Sequence, residues 1–327
     1  MTRHVPLVTI VTPVLNAASS IGLSLASVAT QTHPRIEHIV IDGGSTDGTI
    51  EIIRSFAAVH PVTWISEPDD GLYPAVNKGL ALAKGDVLAY LNADDLYLPW
   101  SVGLAAEALS SGADLCYGDL GVLRGRKEKS FLPNFYPSFD PNLYAYFRTL
   151  AQPTVFWRRS VYEGLGGFDV SYRNIGDCEY WLRAGTSGYS YRHLGEVLAI
   201  QFDHGGSLTN RLRENMGSEF GRMRRTYREV VGTPAPFGKL KSALGWRARM
   251  LQFYASAHQQ SPRRWSRFLS WLKENEIAPR RDVLRGLLPS SMWPGRLSFA
   301  DGDQFLRALH ANLSKGSLRD VVGPLRW

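Results

Sequence analysis

Gly85-Asp86-Val87-Leu88-Ala89-Tyr90-Leu91-Asn92-Ala93-Asp94-Asp95 is the stretch on which the reading of the fold turns. Val87–Leu91 is a short apolar run bounded by a glycine and by acids, the pattern of a buried strand in a parallel sheet. It empties into two adjacent carboxylates, Asp94 and Asp95, a costly arrangement at the mouth of a buried strand unless something positive sits on them. A divalent cation suits that place, because hard cations take carboxylate oxygens together with the phosphates of a bound nucleotide. The competing reading is helix capping: both acids precede a helix expected to begin near Pro99, where acids are ordinary.

Upstream, strand and helix patterns alternate. Leu7–Val14 reads as a strand, Ile21–Thr30 as an amphipathic helix, and Glu37–Ile41 as a second strand ending at Asp42. The turn Gly43–Gly48 leads into a helix over Thr49–Ala58. Val62–Ile65 is a third strand, and the loop Glu67-Pro68-Asp69-Asp70-Gly71 precedes a helix over Ala75–Ala83. Such alternation predicts parallel strands joined by right-handed crossovers. Ligands of such sheets bind outside the carboxyl ends of the strands, where Asp42, Glu67, Asp69 and the Asp94–Asp95 pair all fall. Neither GxGxxG nor GxxxxGK[ST] occurs, which weakens dinucleotide and P-loop readings. The glycines of Gly43–Gly48 are expected to make a tight turn holding Asp42 toward the cleft, with Ser45, Thr46 or Asp47 capping the next helix.

Downstream the pattern loosens: a strand over Asp114–Tyr117, an exposed basic turn over Arg124–Lys129, a strand over Gln152–Trp157 and a short helix over Arg158–Leu165. Asp177 sits where a helix should start, with Tyr180, Trp181 and Ala184 at buried spacing, so it reads as an N-cap as readily as a functional acid. Helices interrupted by prolines dominate after Leu208.

Charge divides the 327 residues sharply. Through Thr209 there are 15 Lys and Arg against 21 Asp and Glu; from Asn210 onward there are 22 against 9. The expected division is therefore an acidic catalytic body over residues 1–209 and a basic, mainly helical region over 210–327. Within the latter, Pro262–Lys273 puts Trp265, Phe268, Leu269 and Leu272 on one stripe beside Arg263, Arg264, Arg267 and Lys273. That suits a peripheral helix on an anionic membrane; packing against the catalytic body is the alternative. No nucleic-acid-binding module accompanies the charge. Cys116 and Cys178 have no CxxC spacing, so a reducing, cytoplasmic setting is expected, with or without contact at the inner face of the plasma membrane. Val5–Leu15, broken by Pro6, Thr9, Thr12 and Pro13, reads as a strand rather than a signal peptide, and no stretch approaches the ~20 apolar residues of a membrane span.

Five ordered segments, Val8–Asn16, Glu37–Thr49, Ser66–Gly79, Gly85–Asp95, and Gly166–Asp169 with Asp177–Arg183, resemble those of family 2 glycosyltransferases. These are inverting enzymes of the GT-A fold, a Rossmann-like, mostly parallel α/β sheet flanked by helices. The resemblance is to the branch that builds bacterial surface polysaccharides and glycolipids. It implies a nucleotide-sugar donor, a UDP-sugar being expected, and a glycan or lipid-linked acceptor. It implies that Thr12, Pro13, Asn16, Asp42, Asp69 and Lys78 border the nucleotide, with Asn77 near it, and that Asn92-Ala93-Asp94 stands at the DXD position. Asp94, assisted by Asp95 and by His204, would then coordinate Mg²⁺ or Mn²⁺. The resemblance makes Asp177 the first candidate for general base and Glu179 the second, with Gln152 and Arg183 on the acceptor side. Two departures stand out: Asn92 where many members have Asp, and Pro74, which fits a first helical turn, in place of another Asp. A nucleotidyltransferase and a non-catalytic scaffold of the same fold are the alternatives.

Overall fold

A computed structural model describes residues 4–124, 130–134, 136, 138–203 and 213–231, together with residues 267, 270, 274 and 300–301. β1 (Val8–Val14), β2 (Ile36–Asp42), β3 (Thr63–Ser66) and β4 (Val87–Tyr90) alternate with α1 (Ile21–Ala29), α2 (Thr49–Ala57) and α3 (Leu72–Leu82). β1 pairs in parallel with both β2 and β4, and β2 with β3, giving the expected parallel half in the order β4-β1-β2-β3. Pro74 lies in the first turn of α3, where a missing N–H costs nothing.

The second half converts the sheet to a mixed one. β5 (Asp95–Tyr97) follows β4 after a tight turn and is succeeded by α4 (Ser101–Ser110). β6 (Leu115–Arg124), β7 (Ser130–Asn134), β8 (Phe156–Arg158) and β9 (Tyr191–Asp203) extend the sheet, with antiparallel pairs β4–β8, β6–β8, β6–β7 and β5–β9 and a parallel pair β6–β9. α5 (Pro141–Phe147), α6 (Arg159–Leu165) and α7 (Gly176–Thr186) intervene, and Ala300–Asp301 forms β10 beside β7. Gln152–Thr154, expected as the start of a strand, is a turn of 3₁₀ helix, and only Phe156–Arg158 pairs. β6 runs past its expected end because Gly118 lets it approach β9. A Cβ there would lie 2.4 Å from Leu198 Cγ and 2.5 Å from the Glu196 carbonyl oxygen, beside an irregularity in the register.

Two apolar layers cover the sheet. Ile39 and Ile41 belong to one, with Tyr73, Val76 and Leu80 of α3 and Val102 of α4; Val40 belongs to the other, with Ile21 and Leu25 of α1 and Ile53 and Phe56 of α2. That division is the alternation of side chains along one strand. α8 (Arg213–Thr226) and α9 (Arg228–Val231) add Met223 and Val231 to the first layer. Of the basic turn over Arg124–Lys129, residues 125–129 lie outside the described residues, as do His204 and most of the stripe Pro262–Lys273. Among the described residues no helix is long and apolar enough to cross a membrane.

Candidate functional site

The parallel strands deliver their carboxyl ends to one rim. Val14 is level with Asp42, and the Leu91 N–H donates to the Val11 carbonyl, so the loops after β1, β2 and β4 lie side by side. The first two loops are stitched together. The Asn16 N–H donates to Ser45 Oγ (2.7 Å), the Thr46 N–H to Asn16 Oδ1 (2.9 Å), and the Ala17 N–H to Thr49 Oγ1 (2.9 Å). Asn16 adopts φ +51°, a left-handed conformation that asparagine tolerates better than most residues.

Asp42 is fully buried, and its carboxylate accepts from the N–H groups of Gly44 and Ser45 and the hydroxyls of Ser45 and Ser66, at 2.5–3.1 Å. The acid therefore faces into the glycine turn and holds it, where the sequence suggested that the turn holds the acid toward the cleft. The N-cap of α2 is Gly48 at φ +97°, not Ser45, Thr46 or Asp47, although Asp47 Oδ1 accepts from the Thr49 N–H two residues on. Thr12 and Pro13 are buried in β1, and Thr12 Oγ1 bonds His38 Nε2 at 2.9 Å; burial lowers the His38 pKa to about 3, so its ring is neutral. Asp69 is half-buried, accepts from the Gly71 N–H and lies against Gly43, where a Cβ would come within 2.8 Å of Asp69 Oδ2. Lys78 pairs with Glu67 at 2.7 Å on the surface.

Asn92–Asp95 forms the tight turn between β4 and β5, with the Asp95 N–H donating to the Asn92 carbonyl. This overturns the capping alternative, since α4 is preceded by Trp100 and Asp95 opens a strand. Ala93 is buried and Asp94 half-buried. Asp95 is 1% exposed; Oδ2 accepts from Asn92 Nδ2 (3.3 Å) while Oδ1 has no hydrogen-bond partner. Burial, and then the neighbouring Asp94 charge, push the Asp95 pKa well above the usual carboxylate range. An unpartnered buried carboxylate oxygen next to a half-buried acid is a hard-oxygen donor set that fits a small divalent cation. Among the described residues no three or more His, Cys, Asp and Glu side chains gather as metal ligands, and His204 lies outside them. Gln152 Nε2 donates to the Tyr90 carbonyl (2.7 Å) and Oε1 accepts from Asn92, bracing the turn rather than facing solvent.

Asp177 is the second residue of α7, not its N-cap, which is Ile175. Its Oδ1 accepts from the Tyr73 hydroxyl at 2.9 Å. Burial raises its pKa, opposed by the bonds from Tyr73 and the Cys178 N–H. The second acid differs completely: Glu179 is 3% exposed, pairs with Arg183 at 3.0 and 3.2 Å, and accepts from the Tyr227 hydroxyl. Arg183 also donates to the carbonyls of Leu165 and Gly167, so the pair anchors the Gly166–Gly167 loop. Asn77, by two bonds to the Phe168 backbone, fixes the same loop from α3. Sequence reasoning missed Tyr73, although it lies inside a quoted motif, and Glu219, which carries no local signal.

Tyr90 ends β4, two residues before Asn92, and meets the Phe168 ring edge-on at 5.4 Å. Burial raises its phenol far above the usual value, and charge on Asp177 and, further down, on Asp95 adds to that. Both acids thus lie within electrostatic reach of one tyrosine.

A parallel sheet with an acid-bearing rim, extended by antiparallel strands, defines a GT-A-like domain. Glycosyl transferase family 2 matches residues 9–159. A PGL/p-HBAD biosynthesis glycosyltransferase of Mycobacterium tuberculosis H37Rv is 29% identical over 210 residues, 63% of this chain and 80% of the relative. An uncharacterized glycosyltransferase of the same strain is 33% identical over 193 residues, 55% and 69% of the two chains. Among solved structures, S. aureus TarS 1–349 in complex with UDP-GlcNAc superposes with TM-score 0.52 at 16% identity, over 77% of this chain and 81% of that one. The match to a longer TarS chain spans 44% of that chain. The mannosyltransferase PcManGT from Pyrobaculum calidifontis, in complex with GDP-Man and Mn²⁺, gives 0.50 at 20% identity, over 71% and 66%. The chain belongs to glycosyltransferase family 2.

Proposed function

We propose that this glycosyltransferase moves a sugar, with inversion, from a nucleoside-diphosphate donor of the UDP-sugar type to a hydroxyl of a glycan or lipid-linked glycan. Asp177 carries the reading. It is a half-buried acid whose Oδ1 accepts from the Tyr73 hydroxyl, and burial raises its pKa above the ordinary carboxylate value. Asp177 takes the proton of the acceptor hydroxyl as the hydroxyl attacks the anomeric carbon opposite the leaving diphosphate; a single displacement inverts that centre. Asp94, with Asp95 behind it, would hold Mg²⁺ or Mn²⁺. When bound, the ion supplies positive charge where the departing diphosphate becomes negative. Asn16, the Gly43–Gly48 turn and Asp69 border the nucleotide, with Asp42 keeping the turn in shape and Lys78 at its edge. The bonds of Glu179 to Arg183 and Tyr227 favour a loop-anchoring role over that of base. The relatives named for PGL/p-HBAD biosynthesis support an acceptor of glycolipid type.

Nucleotide release tests this. Nucleoside diphosphate freed only with an acceptor present is the expected product; pyrophosphate from a nucleoside triphosphate would indicate nucleotidyl transfer, and neither would indicate a scaffold. Asp94→Ala and Asp177→Asn should each abolish transfer while leaving the fold intact, and near-normal turnover by Asp177→Asn would remove the base assignment.

A further inference from the structure

Tyr73 occupies an unusual position between the two halves of the site. It is the second residue of α3, two residues after the donor-side loop that ends at Gly71, yet its hydroxyl crosses to Asp177 on α7. The residue is 2% exposed, and its ring stacks on Phe168 with centroids 5.7 Å apart and planes 15° from parallel. Phe168 is itself fixed by Asn77, which accepts from its N–H and donates to its carbonyl at 2.8 Å each. The ring packs against Gly176 with no room for a side chain there: a Cβ would come within 2.7–2.9 Å of three carbons of the Tyr73 ring. A side chain at 176 would therefore force the Tyr73 ring or the start of α7 to shift. A buried, ring-locked phenol whose only movable part is its hydroxyl proton is a preorganised donor to one carboxylate oxygen.

We propose that Tyr73 is the positioning residue of the general base: it fixes the Asp177 carboxylate through Oδ1 and favours its ionised form. This rests on the reading of Asp177 as base. The titratable and charged groups that interact electrostatically with Asp177 are Tyr73 from α3, Tyr90 from β4, Tyr144 from α5, Arg148 at the end of α5, and Cys178 from its own helix. Of these, the Tyr73 hydroxyl, first in strength, and the backbone N–H and thiol of Cys178 are hydrogen-bond donors that favour the charged carboxylate, and Arg148 favours it by charge. Removing only the hydroxyl should therefore make Asp177 harder to ionise without disturbing the stack.

The test needs no substrate. Protein labelled with ¹³C at aspartate carboxyl carbons is titrated by NMR, with the Asp177 signal assigned by its loss in Asp177→Asn. Tyr73→Phe should raise the Asp177 midpoint by about one pH unit, a roughly tenfold drop in ionised fraction below it. Gly176→Ala, which forces the ring or the start of α7 to shift, should move it in the same direction and carries the test if Tyr73→Phe fails to fold. A midpoint that stays put or falls overturns the inference. Failure of the base reading looks different: Asp177→Asn would release nucleoside diphosphate at the normal rate while the Tyr73 effect on the titration persisted.

Discussion

The side-chain amide of Asn92 lies between Asp95 and Gln152, 3.3 Å from one carboxylate oxygen and 3.1 Å from the other residue's carbonyl oxygen. Both acceptors draw on the same nitrogen. A second acid at position 92 would remove the donor from both and set a like charge against Asp95, which already lies almost wholly out of water. Asn92→Asp should therefore lower the melting temperature of metal-free protein by about 5 °C, corresponding to roughly 1–3 kcal/mol for stranded buried acceptors. Saturating Mn²⁺ should restore most of it, because the extra charge then has a counter-ion. Equal melting curves for the two proteins with and without Mn²⁺ would count against both the electrostatic argument and the cation site.

Glu179 separates a structural acid from a chemical one. Its carboxylate is held by Arg183 and by the Tyr227 hydroxyl, and Arg183 passes the connection on to the Gly166–Gly167 loop. Removing the negative charge leaves a partly buried guanidinium without its partner, so Glu179→Gln should cost about 2–4 kcal/mol in urea unfolding. Turnover per folded molecule should stay within about threefold, because the proposed reaction routes its proton through Asp177. A fully stable variant that had lost transfer would reverse the assignment and make Glu179 the base.

The parallel half of the fold was legible because each strand there is a short apolar run closed by turn residues, and each helix shows one apolar face. β9 was not. Tyr191–Asp203 mixes Arg192, His193, Gly195 and Glu196 into a strand, and only its pairing with β6 and β5 makes it one. α5 left a readable mark that went unused: Asp140 before Pro141, with Asp140 accepting from the N–H groups of Asn142 and Leu143. In the site, the acids at strand ends could be found from their positions, but not their directions. Asp42 turns inward onto four donors, and Asp177 takes its partner from 104 residues away. Long-range contacts of that kind leave no trace in local spacing.

Glu219 is a comparable case from beyond the family match. From α8 it accepts from three successive N–H groups, those of Arg173, Asn174 and Ile175 at 3.0–3.2 Å, immediately before α7 begins. Arg222 of the same helix lies 3.7 Å over the Tyr172 ring and donates to the Ser171 backbone. α8 thus grips the segment that leads to Asp177. Glu219→Ala would strand those donors, and a loss of about 1–3 kcal/mol is expected. Hydrogen exchange should locate the change: residues 171–177 lose protection while β1 and β2 keep theirs. Uniform exchange across the molecule would show that the grip is not local.

Asp177 also gives stability a pH dependence with a fixed sign. Burial raises its pKa in the folded protein, opposed only in part by Tyr73 and the Cys178 N–H, so the folded chain holds this proton more tightly than the unfolded chain does. Between the ordinary carboxylate value and the raised one, the folded state carries the extra proton, and its stability falls as pH rises through that window. Above the folded pKa both states are ionised and the contribution is constant. Asparagine at 177 cannot titrate, so Asp177→Asn should gain stability relative to the parent as pH climbs through the window and hold a constant difference beyond it. Urea unfolding of both proteins at closely spaced pH values reads that difference directly, with all other carboxylates cancelling between them. A difference that stayed flat, or shrank with rising pH, would mean that Asp177 is as easily ionised in the fold as in water, and it would then lack the basicity assigned to it.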